Sequence, residues 1–497
     1  MLTLGDVLAG LRYEPPPACA PLPPLARAAG GFTFTGVIID SRQVRPGSLF
    51  VALAGEHGDG HAHVHDALRR GAAGALIHNP DAVAGINVPL IQSTAAQTPN
   101  RLDELKPPLL IQTGDTLAGL QRLAAYWRAC SAAGRDVPVV AITGSVGKTT
   151  TKEVIAGVLA QRYQVLKNPG NLNNEIGLPL TLLQMTGGEE RVVLEMGMYA
   201  RGEIDLLCRL ARPRTGVVTN VGPVHLSRLG TMEAIVAAKS ELPAALPPSP
   251  EGTAILNIDD PLVRGMAQKT PAQVLFYGLD PTADLWADEV ESRGLEGVSF
   301  RLHHGPESMV LKTPLLGRHS VHTALAAAAV GLVEGLTWLE IARGLTQTQE
   351  QLRLIVLPGV NASTIIDDTY NASPDSVVAA LNLLAELEGR RVAVLGDMLE
   401  LGRYEEEGHR LVGRRAAEVL QVLIAVGERG RLIGAEARDA GLNDVRFAAD
   451  NAGAIEHLRA LLQPGDQVLV KGSRGMHMEE IVAAVAEPAR PAGDKAP

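Results

Sequence analysis

Cysteine is nearly missing from this chain: Cys19, Cys130 and Cys208 are the only three in 497 residues. An odd number, widely separated, supplies neither a disulfide framework nor the paired spacing of a zinc site, so a reducing compartment is expected. Long apolar runs are missing too. The most apolar internal stretch, residues 324–333, falls far short of the roughly 20 residues of a membrane-spanning helix and reads as a buried helix. The opening MLTLGDVLAGLRYEPPP has neither a basic n-region nor an apolar core of secretory length, so a cytoplasmic protein is expected. Basic residues are not in excess: 45 Lys and Arg are interspersed with 55 Asp and Glu, for a formal charge of -10. No basic face is offered to a phosphate backbone, which argues against a nucleic-acid partner. The chain also shows no internal repeat, which removes solenoids and propellers.

What is present is an Ala- and Gly-rich composition, 46% hydrophobic, 20% charged and 3% aromatic. That balance belongs to a globular chain with helices packed on sheets. At roughly 100 to 200 residues per domain there is room for about three. Residues 1–109 make the first expected unit, a small α/β module. In it GVIID (36–40) and SLFVAL (48–53) alternate with a helical pattern over 65–76, and the polar, proline-bearing stretch 93–109 reads as a surface loop. Asp115 or Thr116 can cap a helix running to Ala129. Residues 110–345 form the second unit, where VPVVAIT, RVVLEM, TGVVTNV and TAILNI alternate with helical segments, the pattern of a mainly parallel sheet with crossover helices. A third alternation fills 346–490, and 491–497 read as a disordered tail.

The strongest chemical signal is VPVVAITGSVGKTTTKEVIAGVL, a β-branched strand running through a glycine turn into a helix. Backbone N–H groups at such a turn point at an anion, and the helix dipole adds to the attraction. Gly144, Ser145, Val146 and Gly147 would cradle the phosphates of ATP, Lys148 would reach the outer ones, and Thr149 or Thr150 would place a hydroxyl on magnesium. The loop has the short form G-x-x-G-K-T, because Ile142 stands where the full pattern carries its first glycine. Glu195 closes the run RVVLE and His225 follows TGVVTNVGPV, both at strand ends where a parallel sheet delivers ligands. Each has a blander reading, a helix cap for the carboxylate and a structural ring for the histidine. The dense group His57, His61, His63 and His65 matches no common zinc spacing and reads as surface or ligand-contacting residues.

In order along the chain stand DSRQVRPGSLFVAL with GDGH, TGSVGKTTTKE, NPGNLNNEIGLPLTLL, LEMGM with RGEID, NVGPVHL, AAKSEL, LLGRH, DDTYNASPDS, LGDMLELG and VKGSRGMHMEEIV. The ordered set resembles the Mur ligases, and among them those that join D-alanyl-D-alanine to UDP-N-acetylmuramoyl-tripeptide in peptidoglycan synthesis. The resemblance covers nearly the whole chain. It implies three α/β domains: a small N-terminal UDP-binding module, a central P-loop ATPase-like domain on a parallel sheet, and a C-terminal Rossmann-like domain. It also implies a cytoplasmic monomer using ATP and Mg2+ through an acyl phosphate. The DNPR motif of diaminopimelate-adding members is absent, which separates this chain from them.

Carried over residue by residue, the resemblance makes Thr149, Glu195 and His225 magnesium ligands, and matches Lys239 to a lysine that is carbamoylated and then ligates metal. Lys148, Glu195, His225 and Lys239 become the catalytic set. Asn171, Asn173 and Asn174 would meet substrate and nucleotide phosphates. Ser41, Arg42, Asp59, Gly60 and His61 would hold the UDP end. Arg353, Asp368 and Tyr370, followed by Asn371 and Ser373, match residues near the nucleotide, with Asp368 on the ribose. Lys471 and Arg474 would approach the substrate. Ser320 and Thr323 stand where the family carries asparagines, so neither presents the paired amide edge that suits adenine.

Overall fold

The computed structural model describes residues 1–487 apart from 21–24, 26, 29, 56–57, 95–101, 132–136, 225 and 348–354. The expected tail, His57, His225, Arg353 and residues 95–101 of the stretch after Ser93 therefore lie outside the described residues.

The first sheet contains β1 (Val37–Ile38), β2 (Leu49–Val51), β3 (Gly74–Ile77), β4 (Leu90–Gln92) and β5 (Leu109–Gln112). Their order is β1-β2-β3-β5-β4 with every neighbouring pair parallel. Three expectations change here. The helix expected over 65–76 stops at Arg69, because Gly71 turns left-handed (φ 99°) and Ala72 N donates back to Ala67 O, so residues 74–77 leave as a strand. The boundary expected at 109/110 falls inside β5, whose apolar residues pair with β3 and complete the first sheet. Leu102, in the stretch read as a surface loop, is 5% exposed and packs into the same core.

Helix α1 (Thr116–Ser131) leads into the second unit, capped by Asp115, whose Oδ1 accepts from Ala118 N at 2.8 Å. It fastens the two units together: Trp127 Nε1 donates to Met185 O, and Gln121 Nε2 to Glu175 O.

The central sheet contains β6 (Val139–Thr143), β7 (Val165–Lys167), β8 (Arg191–Glu195), β9 (Thr215–Val218), β10 (Thr253–Asn257), β11 (Gln273–Gly278), β12 (Leu285–Ser292), β13 (Val298–His304) and β14 (Glu307–Thr313). The order is β7-β8-β6-β9-β10-β11-β12-β13-β14, parallel as far as β12 and antiparallel beyond it. β6 is buried along its whole length, as expected of a strand covered on both faces. The chain leaves it to one side through α2 (Lys148–Leu159) and later returns to its other side as β9, so the phosphate loop sits where the strand order reverses. Helix α3 (Met232–Lys239) lies between β9 and β10 in the chain. Residues 324–330 of α4 (Val321–Val333) are fully buried against α2, as the apolar run required. Among the described residues no helix is long and apolar enough to cross a membrane.

The third sheet contains β15 (Ile355–Gly359), β16 (Ser363–Asp367), β17 (Arg391–Leu395), β18 (Val422–Val426), β19 (Asp444–Ala448) and β20 (Gln467–Lys471), ordered β15-β16-β20-β17-β18-β19. Only β15 is antiparallel. Because β16 and β20 run side by side in one direction, the residues after both strands meet at one edge.

Candidate active site

A cleft of about 450 Å³ opens between the central and third units, within the size range of small-molecule sites. One wall is the phosphate loop. Gly144 has φ 150°, and a Cβ there would lie 1.9 Å from Thr219 Oγ1, so no side chain fits. The residues after β9 hold the loop open. Asn220 O accepts from Ser145 N, Asn220 Oδ1 from Val146 N, and Thr219 Oγ1 donates to Val146 O. Gly147, left-handed at φ 83°, turns the chain into α2, whose first-turn N–H groups face the cleft end of the helix dipole.

Two lysines converge on this loop. Lys148 Nζ donates to Gly144 O at 2.9 Å and to Ser145 O at 3.2 Å; Lys239 Nζ donates to Gly144 O at 2.8 Å. Lys239, at the last turn of α3, is only 2% exposed, whereas a helix lysine is ordinarily solvated. Burial, with the Lys148 charge second, pushes its amine well below the usual lysine range.

Glu195 ends β8 beside the loop and is fully buried. Its Oε2 accepts from Thr149 Oγ1 at 2.5 Å and its Oε1 from Asn173 Nδ2 at 2.8 Å. A buried carboxylate that accepts from a hydroxyl and an amide is one that a cation would stabilise. Carboxylate and hydroxyl are hard oxygen donors, so Thr149 and Glu195 fit a magnesium ion. Among the described residues there is no cluster of three or more His, Cys, Asp or Glu able to hold a metal without further ligands. Asn171 and Asn174 also line the cleft, and Asn174 Oδ1 accepts from Gly177 N.

The opposite wall comes from the third sheet. Asp368 follows β16 and Lys471 ends β20; their side chains meet at 2.6 Å, and Lys471 Nζ also donates to Asn371 O. Lys471 is 2% exposed. Its amine is thus committed to Asp368, while Tyr370, with Arg474 over its ring at 5.8 Å, and Ser373 line the cleft. His319, Ser320 and Thr323 close one side. Burial lowers the His319 imidazole, favouring its neutral form, and Ser320 Oγ is turned away to Gly317 O at 2.7 Å.

The residues expected to hold a UDP group lie elsewhere, at the carboxyl ends of β1 and β2. Ser41 is buried. Arg42 is exposed and bonded to Asp40 at 2.8 Å. His61 is buried with both ring nitrogens engaged: Nδ1 lies 2.6 Å from Asp59 Oδ1, and Nε2 accepts from His78 N and Asn79 N. It therefore ties Asp59 and Gly60 to the end of β3.

Family models match this chain in three successive stretches: the Mur ligase family catalytic domain over 33–128, the Mur ligase middle domain over 142–331, and the Mur ligase glutamate ligase domain over 352–474. A UDP-N-acetylmuramoyl-tripeptide–D-alanyl-D-alanine ligase of Mycobacterium tuberculosis is 38% identical, covering 91% of this chain and 92% of its own. One of Bacillus subtilis is 36% identical over 91% and 93%. The chain belongs to the Mur ligase family. Among solved structures, a MurF from Acinetobacter baumannii superposes with a TM-score of 0.79 at 29% identity, covering 97% of this chain and 98% of that one. The MurF ligase of Thermotoga maritima in complex with ADP gives 0.73 at 27%, covering 90% and 96%.

In this Mur ligase the structure gathers Lys148, Thr149, Glu195, Lys239, the asparagine loop, Asp368 and Lys471 around one cleft, and leaves the Ser41 to His61 group apart. Sequence reasoning passed over Thr219 and Asn220, which shape the phosphate loop, and His319. Thr219 and Asn220 stand in the run TGVVTNV just after the end of β9, and His319 stands in LLGRH two residues after a glycine.

Proposed function

We infer that the chain joins D-alanyl-D-alanine to UDP-N-acetylmuramoyl-tripeptide with hydrolysis of ATP, giving the UDP-muramoyl-pentapeptide precursor of peptidoglycan. The observation that carries this reading is the single cleft in which the phosphate loop, the Glu195 carboxylate and the Asp368–Lys471 pair face one another. The tripeptide carboxylate attacks the γ-phosphorus of ATP, forming an acyl phosphate and ADP. The dipeptide amine then attacks the acyl carbon, and phosphate leaves with formation of the amide. Two anions must meet in the first step, so the site has to supply fixed positive charge. Lys148 and the loop N–H groups orient the phosphates, and Thr149 and Glu195 would hold Mg2+, which neutralises charge on the phosphate oxygens. His225 is assigned, with Glu195, as a ligand of Mg2+. Lys239 is assigned as a carbamate: its buried amine is biased toward the neutral form, the form that adds CO2 with loss of a proton.

Asp368 and Tyr370, with Arg353, are assigned to the nucleotide, Arg474 and Lys471 to the substrate side, and Ser41, Arg42, Asp59, Gly60 and His61 to the UDP end. We place the protein in the cytoplasm as a monomer of three domains. Purified protein given ATP, Mg2+, UDP-muramoyl-tripeptide and D-alanyl-D-alanine is expected to release phosphate in step with product. Phosphate release without the dipeptide, or full activity with D-alanine in its place, overturns the substrate assignment. Tripeptides ending in diaminopimelate, lysine and ornithine, compared side by side, identify the third residue.

A further inference from the structure

Three residues after Thr149, α2 carries a second lysine that points away from the cleft. Lys152 is fully buried. Its Nζ donates to Asn168 O at 2.6 Å and approaches Gly170 O at 3.4 Å, while Glu153 Oε1 lies 3.0 Å away. Burying an ammonium is costly, and a well-packed apolar side chain commonly serves stability as well or better. What this ammonium holds is the root of the loop that carries Asn171, Asn173 and Asn174.

Asn168 is fully buried too, and its side chain brackets the backbone of Glu195: Oδ1 accepts from Glu195 N at 2.9 Å and Nδ2 donates to Glu195 O at 3.2 Å. From the same loop Asn173 donates to the Glu195 carboxylate, and Gly197 N donates to Asn173 O. The helix that begins at the phosphate loop is thereby linked, through one ammonium and one amide, to the carboxylate facing Thr149.

We propose that Lys152 is a positioning residue, which through Asn168 fixes the Glu195 carboxylate against Thr149 and so couples metal binding to nucleotide binding. The inference rests on the reading of Thr149 and Glu195 as magnesium ligands. It concerns the aim of the carboxylate and leaves the phosphate loop itself untouched.

The test measures the affinity of the full-length protein for a non-hydrolysable ATP analogue by calorimetry, with Mg2+ and with chelator. The ratio of the two affinities reports the coupling. In Lys152→Met the chelator value is expected to stay as in the wild type. The coupling is expected to fall by about 10- to 100-fold, the usual effect of removing a group that orients a metal ligand. Asn168→Ala cuts the same link without removing a buried charge; it is expected to do likewise and decides the matter if Lys152→Met fails to fold. In a Glu195→Gln background neither substitution is expected to lower the coupling further, because both act through that carboxylate. Coupling lost in Glu195→Gln but kept in both Lys152→Met and Asn168→Ala overturns the proposal alone. Coupling kept in Glu195→Gln overturns the metal-site reading, and the proposal with it.

Discussion

Lys148 and Lys239 donate to one acceptor, the carbonyl oxygen of Gly144, at 2.9 and 2.8 Å. Burial, and after it the charge of Lys148, drives Lys239 toward the neutral amine. Lys148, at the cleft, is the one left to meet phosphate. Lys148→Ala is therefore expected to lower turnover by at least about 100-fold, the scale of losing one electrostatic donor, with an unchanged circular dichroism spectrum. Turnover near the wild-type value would remove the phosphate-loop assignment.

Gly144 leaves no room for a side chain, since a Cβ would meet Thr219 Oγ1 at 1.9 Å. Gly144→Ala is expected to weaken nucleotide binding by about tenfold or more, on the scale of 1.4 kcal/mol per decade, as the loop shifts to relieve the clash. Adding Thr219→Ala should restore part of the loss. Equilibrium binding of a fluorescent ADP analogue to both variants checks this, and a double variant no better than the single one counts against a steric cause.

Gly402, on the third unit, packs onto the backbone of the helix after His225: a Cβ there would stand 2.8 Å from Ser227 N, and Ser227 N donates to Glu400 O at 3.3 Å. This is one of the contacts that join the two cleft walls. Gly402→Val should separate them, lowering kcat/KM and increasing the radius of gyration measured by solution scattering with ATP analogue and substrate present. An unchanged radius with normal activity would show that the contact does not set closure.

His409 is fully buried in the third unit, with Nε2 accepting from Met398 N at 3.0 Å and Nδ1 2.6 Å from Glu405 O. Only the neutral ring with its proton on Nδ1 satisfies both, and burial lowers its pKa from the ordinary 6.5. The unfolded chain then binds more protons than the folded one between the folded value and 6.5. Stability is full above 6.5 and falls as pH drops through that window, by up to about 1.4 kcal/mol per pH unit. In urea titrations at pH 7 and pH 5, His409→Gln should start lower but lose less than the wild type; equal losses refute the assignment.

The strand, loop and helix of the phosphate site were legible because they are contiguous: a β-branched run, glycines and a helix opening lie within one short stretch. The helix expected over 65–76 was misread for the opposite reason. Its GAAGAL half has no local feature that distinguishes a buried helix from a buried strand, and pairing with β2 and β5 decided it. Leu102 looked like loop because its neighbours are polar, yet a single leucine can be drawn into a core by distant packing.

By itself the sequence determined the order of the three α/β units, the phosphate-binding loop and the identity of the polar groups offered for catalysis, since these depend on local propensity and on residue chemistry. Only the tertiary structure decided which groups meet and in what state. Lys239 reaches Gly144 across 95 residues, and Lys471 reaches Asn371 across 100. Arg42 and His61 turn to Asp40, Asp59 and the end of β3, and Lys152 becomes a buried anchor. Burial and hydrogen-bond partners are properties of packed surfaces, and in this chain those surfaces come from segments far apart in sequence.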